Sequence, residues 1–403
     1  SPDGLPAHVG ARRSGGERSG TRIDSSKPYR QTQKETLTFK RRVTPWMIVL
    51  LVSVAYVALT LARYGGDPLS FAMIGSRYGD GVPQGTEGYD GQFAYFIARD
   101  PGDGWQRCDR PAYRYQRILY PMLARTLALG WRPAIPWTLI LVNVAALAAG
   151  TWFTERFLVL HGASRWYALS YGLYGGLMAG LRLDLTEPLA HCLIQGGLWV
   201  WAEKRYGVAS GLLALAALAK ETALIAVAGL LLYLLWEKQW RRGLGLGLGA
   251  LVPFLAWQGV LWFWLGEPGV ASGGAVATPF EWLPFGGLLR VSSVSWSAFW
   301  LLLAVQGPLF VLPTLWAIGT SVRDHVLVGT HPWTSILFAQ AAVLPFLPFS
   351  TWREPLAMAR LSAGLVAATL LYGAIRHSRR VLVFCLVWLA TLALLINESQ
   401  LPV

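Results

Sequence analysis

From Pro45 to Ala62 the chain runs without a single charged side chain, and about ten further apolar runs follow it, most of them roughly 16 to 24 residues long, the length of helix that crosses a bilayer. In hydrocarbon every backbone polar group must be satisfied within the protein, which leaves helices and closed barrels as the spanning structures. Barrels read as short segments of alternating polarity, whereas these runs are continuous. The composition agrees: 54% of residues are apolar or aromatic and 14% are charged, against about a quarter charged in soluble domains. The expected fold is an all-α polytopic membrane helix bundle. Its crossings, about eleven, fall at 45–62, 135–157, 164–181, 188–202, 208–219, 222–236, 243–265, 296–319, 333–349, 355–375 and 381–396.

The net charge of +13 suggests nucleic acid until its location is considered. Residues 1–44 carry ten basic side chains among Gly, Ser, Pro and Thr, with few apolar residues to drive ordering, so they read as a disordered basic tail. The tail abuts the first apolar run, which predicts a cytoplasmic N-terminus and a retained membrane anchor rather than a cleaved signal peptide. No nucleic-acid partner is expected; membrane lipids are. Residues 117–130, with Arg125 in the middle, are too short for a crossing and suit an interfacial or re-entrant helix. With that choice residues 63–117, the turns RLDLTEP, LAKET and STWREP, and the loop 266–295 all lie on the extracytoplasmic side. Beyond the tail, 11 basic residues fall inside and 14 outside, so the orientation rests on the tail and the short turns. Cys108, Cys192 and Cys385 are far apart and the histidines have no ligand spacing, so no disulfide framework or metal site is assigned.

The first outer loop is the most informative segment. It holds seven carboxylates and seven arginines, a density that a solvated, salt-bridged loop could also carry. Asp90 stands out within YDGQFAYFIA, a turn between Gly88 and Gly91 followed by a short aromatic helix. One role there is an N-cap; the other is a carboxylate at the membrane surface able to accept a proton from a hydroxyl. Capping lowers a carboxyl pKa, so a base would need an offset, and a second carboxylate such as Asp80 would supply it by like-charge repulsion.

A single N-terminal span, then an outer loop with an acidic residue ahead of a short aromatic helix, then a many-span bundle, resembles the GT-C glycosyltransferases. SRWYALSYGLYGGLMAGLRLDLTEPLAH is similar to that family's span ending in an outward Asp. ASGLLALAALAKETAL is similar to its short Gly-containing span ending in Lys. GYDGQFAYFIARDP with DRPAYRYQRILYP looks like a bacterial subgroup described as involved in cell-surface glycopolymer formation. The likeness covers roughly residues 45–265. It implies a plasma-membrane enzyme that takes a sugar from a polyprenyl phosphate and adds it to a lipid or polysaccharide acceptor outside the cytoplasm, with Asp90 as general base and Asp80 as a possible partner. Many GT-C enzymes pair two acids side by side in this loop, whereas Gly91 and Gln92 follow Asp90; a divalent cation is a possible cofactor only.

Expulsion of a lipid phosphate needs a base on one face and positive charge on the other. Arg114 and Arg117 suit the second task, since a guanidinium binds two phosphate oxygens and stays charged near lipid, with Tyr113, Tyr115 and Tyr120 at headgroup level; the alternative is an interfacial anchor whose arginines meet bulk lipid phosphates. Asp184 and Glu187 in RLDLTEP, and Lys220 and Glu221 in LAKET, lie at span ends where unpaired charge costs about 2.5–3.5 kcal/mol. They form either a structural ion pair between turns or a phosphate-neutralising group. Arg353 and Arg360 in TWREPLAMAR pose the same choice, and a buried Arg360 requires an anion. Two other classes remain open at this level: a flippase or transporter of a lipid-linked glycan, which would spread polar groups through the bundle and for which no inverted repeat is visible, and a non-catalytic component of a glycopolymer assembly complex.

Overall fold

A computed structural model of the chain describes residues 43–271 and 273–395. The basic tail expected over 1–44 therefore lies outside the described residues except for Val43 and Thr44. The described chain is helical, with no β-strand among its residues and an isolated antiparallel bridge joining Ile74 to Gly88.

Four helices are long and apolar enough to cross a membrane: Pro45–Arg63, Arg132–Leu160, Trp240–Leu265 and Trp296–Leu327. Pro355–Leu361 and Ala363–Ile375, bent by 47° at their junction, make a fifth if counted as one span. Other expected runs fold as shorter pieces. Residues 164–181 break into a 3-10 turn, a one-turn helix and Gly175–Arg182. Residues 381–396 are divided between the end of Arg379–Cys385 and a 3-10 stretch, Leu386–Leu395. Tyr206–Ala219 is apolar but 14 residues long, about 21 Å at the helical rise per residue.

Burial differs sharply among the long helices. Within an 18-residue apolar stretch of each, 67% of residues are buried in Arg132–Leu160, against 22% in Pro45–Arg63 and 28% in Trp240–Leu265. The first lies inside the bundle. The other two keep apolar side chains such as Leu59 and Phe263 outward, as suits a surface facing lipid rather than water. In Trp296–Leu327 a π-turn at Gly307–Val311 accommodates Pro308, which has no N–H to give and would otherwise break the ladder.

The first outer loop is tucked in rather than splayed over the surface. In its helix Gly91–Arg99 all residues from Gly91 to Ala98 are buried. Two local devices fix it. Gly88, at φ +69°, lies so close to Met73 and Gly75 that a Cβ would fall 2.5 Å or less from their backbone atoms. The Gln92 amide then ties the strap together, accepting from Gly75 N–H at 3.1 Å and donating to Glu87 O at 2.7 Å. Residues 117–130 form a nine-residue helix, Leu119–Leu127, too short to cross. Its Arg125 donates to the carbonyls of Ala98 and Arg99 at 2.9 Å each, closing the end of the Gly91–Arg99 helix where cations are favoured.

Candidate functional site

Three distant parts of the chain converge on one narrow crevice: the helix start at Asp90 with the one-turn helix Pro111–Tyr115, the turn before Glu187–Ala202, and Pro355–Leu361. Its charged lining is Asp90, Arg114, Arg117, Asp184, Glu187 and Arg360. The free space is about 30 Å³, enough for a water or two.

Asp90 occupies the N-cap position of its helix but its side chain caps nothing. The carboxylate instead meets Arg114 at 2.9 Å and Arg360 at 3.6 Å. Burial raises its pKa, but Arg114, then Arg360 and Arg117, outweigh this and bring it down to about 2. Gly91 makes the convergence sterically possible: a Cβ there would stand 2.0 Å from the Leu183 carbonyl oxygen. The loop helix can therefore approach the 183–186 turn only through a residue with no side chain.

Arg114 is anchored from behind. Asp109 receives two hydrogen bonds from it, at 2.7 and 2.9 Å, and a third from the Ala275 amide at 3.0 Å. Burial opposes the charge on Asp109, but its bonds to Arg114 and to the Ala275 and Arg110 amides keep its pKa low. The guanidinium also lies 4.2 Å over the ring of Phe93. Arg117 makes a two-point contact with Glu221, at 2.6 and 2.9 Å, and donates to the Tyr113 hydroxyl at 2.6 Å.

Arg360 finds the anion that burial demands. Its Nε and Nη2 both reach Glu187 Oε1 at 2.8 Å, and Lys220 Nζ reaches the same oxygen at 2.8 Å. The turns RLDLTEP and LAKET are thus joined by an ion pair, and Arg360 links that pair to Asp90. Tyr89, beside Asp90 in sequence, accepts from Arg360 and donates to Glu354 at 3.1 Å. Asp184 is fully buried and neither of its carboxyl oxygens has a hydrogen-bond partner among the described residues.

Three of the expected residues lie apart from the crevice lining. Asp80 is exposed at the end of Ser76–Gly79 and does not line the crevice; the like charge that raises Asp90 is Glu187. Tyr115 turns away, donating to Pro101 O at 2.9 Å and packing edge-on against Trp264, so Tyr113 is the tyrosine beside the arginines. Arg353 is exposed, 5.8 Å above the Phe349 ring, and does not line the crevice. Asp109 and Tyr89 were not singled out from sequence. Asp109 had a signal, an acid five residues before Arg114 across a helix start. No group of three or more His, Cys, Asp or Glu side chains that could hold a metal ion occurs among the described residues. Compared with known proteins, the chain matches no family model, no curated relative and no solved structure.

Proposed function

We propose that this protein is a membrane glycosyltransferase of the GT-C kind, moving a sugar from a polyprenyl-phosphate donor to a hydroxyl of a lipid or cell-surface glycopolymer acceptor. The observation that carries the reading is the placing of Asp90, about a third exposed, between Arg114 and Arg360 at the mouth of a crevice otherwise lined by buried charge. In this reading the crevice faces the extracytoplasmic side of a bacterial plasma membrane, the N-terminus is cytoplasmic, and shorter helices complete a bundle of about eleven crossings.

The chemistry follows from the electrostatics. With its pKa near 2, Asp90 is a weak base while both arginines hold it. The donor phosphate is an anion that competes for the same guanidinia. As Arg114 and Arg360 turn to the phosphate, Asp90 loses its stabilising cations, its proton affinity rises, and it accepts the proton of the attacking acceptor hydroxyl. The oxygen then bonds to the anomeric carbon, the bond from that carbon to phosphate oxygen breaks, and the arginines neutralise the charge gathering on the leaving phosphate. Glu187 and Lys220 hold Arg360 in position.

The test is transfer from a synthetic polyprenyl-phosphate sugar by purified wild type and by Asp90→Asn. General-base removal should cost about 10²–10⁴-fold in kcat with donor binding retained. Undiminished transfer by Asp90→Asn removes Asp90 as the base; absence of transfer by the wild type with any lipid-phosphate sugar removes the reading.

A further inference from the structure

Asp184 is the one crevice carboxylate that the ion pairs leave out. Arg114 is taken by Asp90 and Asp109, Arg117 by Glu221, and Lys220 and Arg360 by Glu187. These four cations face four carboxylates, so the cluster is balanced before Asp184 is counted. The neighbouring Arg182 points elsewhere, donating to Ser70 O at 2.8 Å and lying over the rings of Tyr64 and Phe71. Tyr120 stands within reach of a hydrogen bond to Asp184, in competition with the one its hydroxyl donates to Leu139 O at 3.1 Å, and it accepts from Asn143 at 2.8 Å.

The backbone adds a second, independent observation. Asp184 has φ +48°, in the left-handed region that glycine or asparagine usually fills after a helix. Here it closes Gly175–Arg182, with Leu183 N–H bonded to Ala179 O and Leu185 N–H to Gly180 O. Glycine would meet that geometry without strain. The chain instead carries a carboxyl at relative exposure 0%, neither oxygen meeting a partner at hydrogen-bond geometry, on the turn that lines the crevice.

We propose that Asp184 is held as the neutral carboxylic acid and that its O–H and carbonyl oxygen pair with a ring hydroxyl of the sugar being transferred. The role rests on the glycosyltransferase reading; the protonation state does not. A fully buried carboxylate without a direct ion pair is costlier than its neutral form, and burial outweighs the opposing influence of Arg182 and Tyr120 and pushes the Asp184 pKa well above the usual carboxylate range. A neutral acid can donate and accept at once, which matches a hydroxyl, itself both donor and acceptor. It offers nothing to phosphate that the arginines do not offer better. The lining is thus divided into a cationic part for the phosphate and a neutral hydrogen-bonding part for the sugar, and a donor must widen a crevice whose free space holds a water or two.

Two measurements on the purified full chain test this. Infrared spectroscopy at neutral pH should find a protonated-carboxyl C=O band that shifts in heavy water, persists in Asp90→Asn and is lost in Asp184→Asn. No such band in the wild type, or one that survives Asp184→Asn, overturns the protonation state. If Asp184→Asn does not fold, Asp184→Glu should move the band, and an unmoved band overturns it equally. The second measurement uses a polyprenyl-phosphate hexose turned over by the wild type, together with its monodeoxy analogues. One analogue should lose about tenfold in kcat/KM with wild type and lose little further with Asp184→Ala, whereas Asp184→Asn, which keeps a donor and an acceptor, stays within about threefold of wild type. Additive losses for every analogue overturn the pairing. Failure of the wild type to use any donor would remove the functional reading while the infrared result still judges the protonation state.

Discussion

Arg114→Gln tests the electrostatic core of the site without needing a substrate. The substitution leaves Asp109, whose side chain is 4% exposed, and Asp90, at 35%, without their shared cation. A unit-charge pair at 4 Å is worth about 4 kcal/mol at an effective dielectric near 20. Solvent screens Asp90, and it keeps Arg360 at 3.6 Å, while Asp109 keeps its Arg110 and Ala275 amides. The net loss at pH 7 is then about 3 kcal/mol, toward the lower end of what removing one partner of a buried pair costs. Both carboxyls have folded-state pKa values below the ordinary value. Their contribution is therefore complete above about pH 4, where the unfolded carboxyls ionise, and disappears as pH falls through the folded value, about 2 for Asp90. Thermal unfolding of the solubilised protein should show the variant several degrees below wild type at pH 7, with the gap narrowing as pH falls from about 4 toward 2. A gap that stays constant over that range would refute the assignment of Arg114 to these two carboxylates.

Two further substitutions probe how the crevice is assembled. Gly91→Ala drives a methyl into the Leu183 carbonyl; it should cost about 1–3 kcal/mol and reduce transfer, checked by melting midpoint and turnover, and a fully active, equally stable variant would mean the close approach is dispensable. Glu187→Gln leaves Arg360 and Lys220 facing each other without their common anion; it should destabilise by about 3–5 kcal/mol, and adding Lys220→Met should recover part of that loss, a non-additivity that a double-mutant cycle reads directly.

The parts of the site legible in the sequence are those where the environment, not the exact neighbour, sets the requirement. A lone Arg360 inside an apolar run must meet an anion wherever the chain folds, and Glu187 answers that demand. The two charged turns carry opposite charges at one depth, so a pair between Glu187 and Lys220 was one of two readable outcomes. Rotation about a one-turn helix is not readable this way. Pro111–Tyr115 is too short for apolar periodicity to say which face turns inward, so which of Tyr113 and Tyr115 meets the arginines was not readable. The place of Asp80 depends on a loop shaped by glycines at positive φ, including Gly81 and Gly88, whose path no local pattern specifies. The fold was legible as helical and apolar. How each run divides between long helices and shorter bent pieces depends on packing against neighbours, as the breaks within 164–181 illustrate.

Asp109 grips two things at once: the guanidinium of Arg114 and, through the Ala275 amide, the loop that follows Trp240–Leu265. Any anion that draws Arg114 forward therefore changes the donors on the oxygen that tethers that loop. Thermodynamic linkage runs both ways: whatever factor the anion applies to the loop's attachment, fixing the loop applies to the anion's affinity.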